Sequence, residues 1–179
     1  LYDDGSNADR SVELYEKLAT TDKVDLFVGP ASSPITIKAS TVAEKYGIPM
    51  VAVEANSPSI YSRGFKWLVG VDMPAPQWAE AYYKMMKALI DDGTIPQPKT
   101  VAVVSENTPH TMGVGWGGAN QAGIAGLQVV ANETVPPGST DFSALISKLK
   151  GLDPDVLYFS GWAGTDAAMA KQAYELGLN

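Results

Sequence analysis
The chain has 179 residues, no cysteine and one histidine. These absences exclude thiol catalysis, disulfides and zinc sites built from cysteine or several histidines. Lysine and arginine number 13 against 20 acidic residues, a formal net charge of −7. The cations form no cluster, and affinity for a phosphate backbone is built from clustered cations, so nucleic acid is not an expected partner. No apolar run approaches the roughly 20 residues that a membrane-spanning helix needs. The first residues, Leu1-Tyr2-Asp3-Asp4, show no basic-then-apolar signal segment, so any such segment is expected to lie upstream or to have been removed. A nucleophile elbow, a Walker A loop and an H-E-x-x-H metal motif are all missing. The pairs Asp3-Asp4 and Asp91-Asp92 are sequence neighbours at element ends and read as solvated charges, not as an acid/base pair.

What the chain does have is a βα alternation. With 45% hydrophobic residues it can bury a real core. Val24 to Val28, Ile48 to Val53, Lys66 to Val71, Thr100 to Val104, Leu127 to Ala131 and Val156 to Phe159 are β-rich and continuously apolar. That is the pattern of parallel strands covered on both faces. Between them, Ile35, Ala39, Val42, Ala43 and Tyr46 follow a helical period that Gly47 closes. Trp78, Tyr82, Met85 and Leu89 mark a second helix, Phe142, Leu145, Ile146 and Leu149 a third, and Ala168, Met169, Ala173 and Leu176 a fourth. The fold class is α/β. Met73-Pro74-Ala75-Pro76 and Pro96-Gln97-Pro98 bracket the second of these helices with breakers, which puts a domain boundary near Asp72 and divides the chain into 1–72 and 73–179. Leu1-Tyr2 reads as the tail of a strand and Leu176-Gly177 as a helix stop, the marks of an internal fragment.

Ser33, the stretch Glu54 to Asn56, His110 and Trp162 each follow one of the apolar runs. In an open α/β sheet the ligand crevice lies outside the carboxyl ends of the strands, so these positions point at a binding site. Ser33 followed by Pro34 reads as an N-cap with proline at the first helical position, and a helix end of that kind offers free N–H groups to a carboxylate. An ordinary cap is the other reading. Trp162 lies in Ser160-Gly161-Trp162-Ala163-Gly164, and a tryptophan flanked by glycines suits a pocket wall better than a core. Trp67, Trp78 and Trp116 fall in periodic segments and read as packing residues.

Gly113-Val114-Gly115-Trp116-Gly117-Gly118 satisfies G-x-G-x-x-G, and Glu133 follows at the distance where a dinucleotide site places its acidic residue. The fingerprint requires its first glycine in the turn directly after a strand, whereas Ser105 to Met112 intervenes. Close approach of a helix to its neighbours is the competing reading of these glycines.

Several stretches together resemble type I periplasmic binding proteins, and within them the branched-chain amino acid binding components of ABC transporters. They are Tyr2-Asp3-Asp4, Leu26-Phe27-Val28-Gly29 with Ser33 beyond it, Gly47-Ile48-Pro49-Met50-Val51, Asp141-Phe142-Ser143-Ala144-Leu145 and Asp153-Pro154-Asp155-Val156. The resemblance implies two Rossmann-like lobes that close on a small molecule, with 1–72 in the N-terminal lobe and 73–179 in the C-terminal lobe.

It also implies site residues. Ser33, with Ser32 beside it, matches the serine that meets a ligand carboxylate. Glu54 and Asn56 stand where relatives hold an ammonium group, although Ala52-Val53-Glu54-Ala55-Asn56-Ser57-Pro58 departs from the usual small-residue and threonine pattern. His110 replaces a common tyrosine, and Trp162 falls at an aromatic position. The implied protein is a monomeric extracytoplasmic binding component that uses no cofactor and works with an ABC permease. Its ligand is an amino acid, an amide or an aromatic carboxylate. A ligand-sensing receptor domain of the same fold and, from the glycine-rich stretch, a dinucleotide enzyme are the alternatives.

Overall fold
The structure is a computed structural model that describes residues 1–178. The chain divides into two compact units, Leu1–Ala75 and a second that begins at Pro76.

The first unit opens with helix α1, Ala8–Thr20, which Asn7 caps by accepting the Asp9 and Arg10 amides, each at 3.0 Å. Strand β1 (Phe27–Val28), helix α2 (Ser33–Tyr46), strand β2 (Met50–Ala52), the short helix α3 (Pro58–Tyr61) and strand β3 (Leu68–Gly70) follow. The strands form a parallel sheet in the order β1-β2-β3. Its core is Tyr15 from α1, Phe27 and Met50 from the sheet, and Ala39, Val42 and Ala43 from α2. The Tyr15 ring meets Phe27 edge-on at 5.0 Å. Gly47 ends α2 at φ 66°, the left-handed C-terminal glycine expected there.

Burial on both faces does not hold for this sheet. Phe27 and Met50 are each 1% exposed while Val28 and Val69 are 67% and 55% exposed. The strands alternate between a covered and an open face, because α1 and α2 pack on one side only. Nor do Leu1-Tyr2 form a strand. Helix α1 escaped the pattern reading because its apolar residues Val12, Tyr15, Leu18 and Ala19 are diluted by charge, although Asn7 was a usable start signal.

The second unit holds α4 (Trp78–Asp91), β4 (Thr100–Glu106), α5 (Pro109–Ile124), β5 (Gln128–Val135), α6 (Ser143–Leu152), β6 (Val156–Ser160) and α7 (Ala163–Glu175). Its parallel sheet runs β5-β4-β6. The central strand β4 is buried on both faces as its composition predicts. Ala102 and Val104 join Phe142, Ile146, Leu149 and Met169 in one core. Val103 and Ser105 point to the opposite face, where α5 lies.

On α4 the buried residues are Ala79, Tyr83 and Met86, whereas Trp78 and Met85 are 43% and 55% exposed. The period was right and the face was one residue off. Asp155 and Asp141, both in stretches that carried the resemblance, are structural: Asp155 accepts the Lys99 and Thr100 amides at 2.7 and 2.9 Å, and Asp141 accepts the Ser143 amide at 2.9 Å to open α6. These amide bonds hold the Asp155 carboxyl below the usual carboxylate range.

The glycine-rich stretch lies inside α5, not in a strand-to-helix turn, so it lacks the geometry that grips a pyrophosphate. Glu133 is a β5 residue paired with Lys148 at 2.8 Å. The glycines serve helix contact instead: a Cβ on Gly115 would stand 1.8 Å from Ser105 Oγ, one on Gly117 2.1 Å from the Pro76 carbonyl oxygen, and one on Gly118 2.5 Å from the Tyr158 ring. Gly123, on the exposed side of the same helix, has nothing within 4 Å. Gly118→Ala is therefore expected to destabilise by about 1–3 kcal/mol through overpacking. Gly123→Ala is expected to stabilise by roughly 0.5–1 kcal/mol through helix propensity. Urea unfolding of the two variants measures the contrast, and equal effects would refute the close-approach account.

Candidate functional site
The candidate residues of the first unit stand at the carboxyl ends of β1 and β2. Beyond those strands the ladder persists as a parallel bridge between Ala31 and Glu54, and the Ser32 amide donates to the Glu54 carbonyl at 3.2 Å. Ser32 occupies φ 75°, ψ 128°, a sparsely populated conformation for a residue with a side chain. Strain of this kind, of order 1–3 kcal/mol, concentrates in ligand-binding segments.

The helix starts one residue earlier than expected. Ser32 holds the N-cap position of α2, and Ser33 and Pro34 are its first two residues. Ser32 gives no side-chain cap and Pro34 has no amide hydrogen, so the first-turn amides are left to solvent or a ligand. Ser33 is 1% exposed, and its Oγ accepts the Ser57 amide at 3.2 Å, which ties α2 to the loop after β2.

Glu54 is exposed and Asn56 is buried. The Asn56 side-chain amide donates to Asp72 Oδ2 at 2.7 Å, and its backbone carbonyl accepts the Ala75 amide at 3.0 Å. Asp72 in turn accepts the Met73 amide at 2.7 Å. Asn56 thus fixes the segment through which the chain leaves the first unit. Sequence reading missed Asp72, because a lone acid after a strand carries no local signal.

In the second unit the residues cluster at the carboxyl ends of β4 and β6. His110 is the second residue of α5, whose entry is fixed by the Thr108 amide donating to Thr111 Oγ1 at 3.3 Å and by the Thr111 hydroxyl donating to the Glu106 carbonyl. Trp162 is the N-cap residue of α7 and is 42% exposed. The His110 and Trp162 rings lie 5.3 Å apart at 32°, and Trp78 meets His110 edge-on at 5.2 Å. Trp78, taken as a packing residue, therefore belongs to the candidate site, while Trp116 is 64% exposed and packs little. Trp67 stays a contact residue, its ring 3.6 Å from where a Gly47 Cβ would lie.

Two carboxylates lie behind Trp162. Glu106, at the end of β4, accepts the Trp162 amide at 2.9 Å and the Gly138 amide at 3.1 Å. Asp166, on α7, has a buried Oδ1 with no hydrogen-bond partner among the described residues. Burial pushes the Asp166 carboxyl up, neighbouring Glu106 adds to the rise, and a Gly161 amide bond works against it. Among the described residues no group of three or more acidic or histidine side chains is placed to hold a metal, and no helix is long and apolar enough to cross a membrane.

This architecture belongs to a known class. Residues 1–179 match the periplasmic binding protein family along their whole length, and the chain belongs to that family. It is 28% identical over 179 residues to the Leu/Ile/Val-binding protein BraC3 of Rhizobium johnstonii, covering all of this chain and 47% of that protein. It is 29% identical to the leucine-, isoleucine-, valine-, threonine- and alanine-binding protein of Pseudomonas aeruginosa, covering 46% of it. The chain thus spans about half the length of the curated relatives it matches. Its fold is that of a leucine-binding protein from Thermotoga maritima, at TM-score 0.80 and 23% identity over 98% of this chain and 48% of that one. It is also that of a Rhodopseudomonas palustris ABC transporter solute-binding protein in complex with 3,4-dihydroxybenzoic acid, at TM-score 0.78 and 22% identity over 99% and 47%.

The upward shift of Asp166 fixes a pH dependence. A carboxyl whose folded pKa lies above its unfolded value contributes stability that is fully present below the unfolded pKa and lost as pH rises through the folded one. Asp166→Asn is therefore expected to raise the melting temperature at pH 7, with the gain shrinking as pH falls through the raised folded pKa and gone below the ordinary aspartate value of about 4. Melting curves across pH 3–8 test this, and a variant less stable than the parent at pH 7 would contradict it.

Proposed function
We propose that the chain is part of the extracytoplasmic solute-binding component of an ABC transporter, and that its ligand is a small carboxylate on an apolar body, a branched-chain, other hydrophobic or aromatic molecule. The observation that carries this reading is that each unit, taken by itself, presents a recognition feature at the carboxyl ends of its parallel strands, uncapped first-turn amides of α2 in the first and an exposed ring array in the second, in a chain of the periplasmic binding protein family. The first unit serves as part of the N-terminal lobe and the second as part of the C-terminal lobe. Hinge closure then brings both sets of residues onto one ligand.

In this mechanism the start of α2 at Ser32 and Ser33 takes the carboxylate through N–H groups, the helix dipole and the Ser33 hydroxyl, which accepts the Ser57 amide and keeps its own hydrogen to donate. Glu54, exposed beyond β2, faces a cationic or donor group, and Asn56 acts by holding the Asp72–Ala75 segment. His110, Trp162 and Trp78 supply an aromatic wall. Micromolar affinity needs about 8.2 kcal/mol. Charge-assisted hydrogen bonds at about 1.5–3 kcal/mol each, with ring burial, supply it after ordering costs. The names of the relatives, for leucine, isoleucine and valine, and the dihydroxybenzoate in the Rhodopseudomonas palustris protein support one chemistry: a carboxylate beside an apolar group. The permease partner and the periplasmic or membrane-associated location follow from the same assignment. No chemical step is assigned to the chain.

A thermal-shift screen of the full-length protein against branched-chain and aromatic amino acids, simple amides, benzoates and NAD tests the reading. A ligand at 100 times its Kd adds about 2.7 kcal/mol, so a carboxylate-bearing class is expected to shift the transition visibly. Ser33→Ala is expected to weaken that ligand roughly 10- to 100-fold, the loss of one charge-assisted bond. Trp162→Ala is expected to lower affinity with little change in melting temperature. A Ser33→Ala protein that loses stability but keeps its affinity would sink the site assignment.

A further inference from the structure
Glu106 has a place in the site that no sequence pattern announced. It is the last residue of β4 and 2% exposed, yet it is an acid. A carboxylate so far from water is held only where hydrogen bonds replace its hydration. Here Oε2 accepts the Trp162 amide at 2.9 Å and Oε1 accepts the Gly138 amide at 3.1 Å, so each oxygen answers a loop amide. The Glu106 main chain serves the other ring-bearing segment: its carbonyl accepts the Thr108 amide at 2.7 Å and the Thr111 hydroxyl, on either side of His110.

The room around it is also fixed. A Cβ on Gly161 would lie 2.7 Å from Asp166 Oδ1, 2.9 Å from the Phe159 ring and 3.2 Å from Glu106 Oε2, so only glycine lets the chain pass between the two carboxylates into Trp162. One buried residue thereby holds both segments whose rings lie 5.3 Å apart.

We propose that Glu106 is a positioning residue for ligand recognition: its carboxylate sets the Trp162 backbone so that the indole stands against His110 before a ligand arrives. The inference rests on the binding reading above and deepens it. Pre-set rings cost less ordering on binding than mobile ones, so the effect appears in affinity as well as in the resting structure. A glutamine at this position offers one acceptor and one NH2 donor to two N–H groups, leaving a donor facing a donor.

The experiment uses the full-length protein. Amide hydrogen exchange in the unaltered protein is expected to show Trp162 and Gly138 protected, and exchange at solvent rates would overturn the proposal without any variant. In Glu106→Gln, the Trp162 fluorescence contribution, obtained by difference from Trp162→Phe in each background, is expected to change in the absence of ligand. Affinity for the ligand found by thermal shift is expected to fall at least tenfold, with Glu106→Asp recovering part of both. An unchanged Trp162 signal overturns the proposal. So does a changed signal with unchanged affinity, which would make Glu106 structural only. Failure of the binding reading is a separate result: Trp162→Ala would then leave affinity intact while the ligand-free Trp162 signal still responds to Glu106.

Discussion
A parallel strand cannot turn back through a tight hairpin, so each strand must end in a loop that leads to a helix and a crossover. The candidate binding residues of each unit depend on that constraint. It forces Ala31 to Ser33 after β1, Glu54 to Ser57 after β2, Glu106 to His110 after β4 and Gly161-Trp162 after β6 to the carboxyl edges of their sheets. None of these segments had to be selected into position one by one. What had to be selected was the means of holding each loop once there, and the second unit shows how strict that is. Strand β4 is buried on both faces, so its side chains have no freedom, and the loop that leaves it starts from a fixed point.

The holding is done by buried polar groups. Ser33, Asn56 and Glu106 are all nearly inaccessible, and each bonds to backbone of a neighbouring segment or to a side chain that does. Inside a protein such bonds are stronger than in water, and leaving one unmade costs correspondingly more. Each therefore locks a loop at the price of intolerance to substitution. The exposed groups are of the opposite kind: Trp78 and Trp162, with His110 between them, present apolar ring surface in the second unit. Apolar surface left open beside rigid loops is the usual composition of a recognition surface.

Legibility in the sequence followed the same division. Apolar runs marked all six strands, because strand burial is a property of consecutive residues. They did not tell a sheet covered on both faces from one covered on one, and Val28 and Val69 were read as buried when they lie on an open face. On α4 the helical period was visible but its phase was not, since Trp78 and Met85 are as apolar as the residues that do pack. Helical period marked α2, α4, α6 and α7, whereas α1 was hidden by its charge. At the site, positions just beyond strands could be named, yet Asp72 and Glu106 could not. Their roles depend on contacts 16 and 56 residues away in sequence, to Asn56 and Trp162.

The glycines of α5 show how such long-range terms reverse a local reading. Four helical glycines lower propensity by about 1 kcal/mol each, which on local grounds makes Gly113 to Gly118 a poor helix and a tempting loop. The helix forms because three of them, Gly115, Gly117 and Gly118, let it approach Ser105, the Pro76 carbonyl and Tyr158 more closely than any side chain permits. That approach packs α5 on β4 and β6. Its place inside a helix disqualifies the stretch as a phosphate cradle, and its short distances seat the helix whose second residue, His110, meets Trp78 and Trp162. A motif judged by its spacing alone pointed to a nucleotide, whereas judged by what a Cβ would strike it is a close-packing face of a helix.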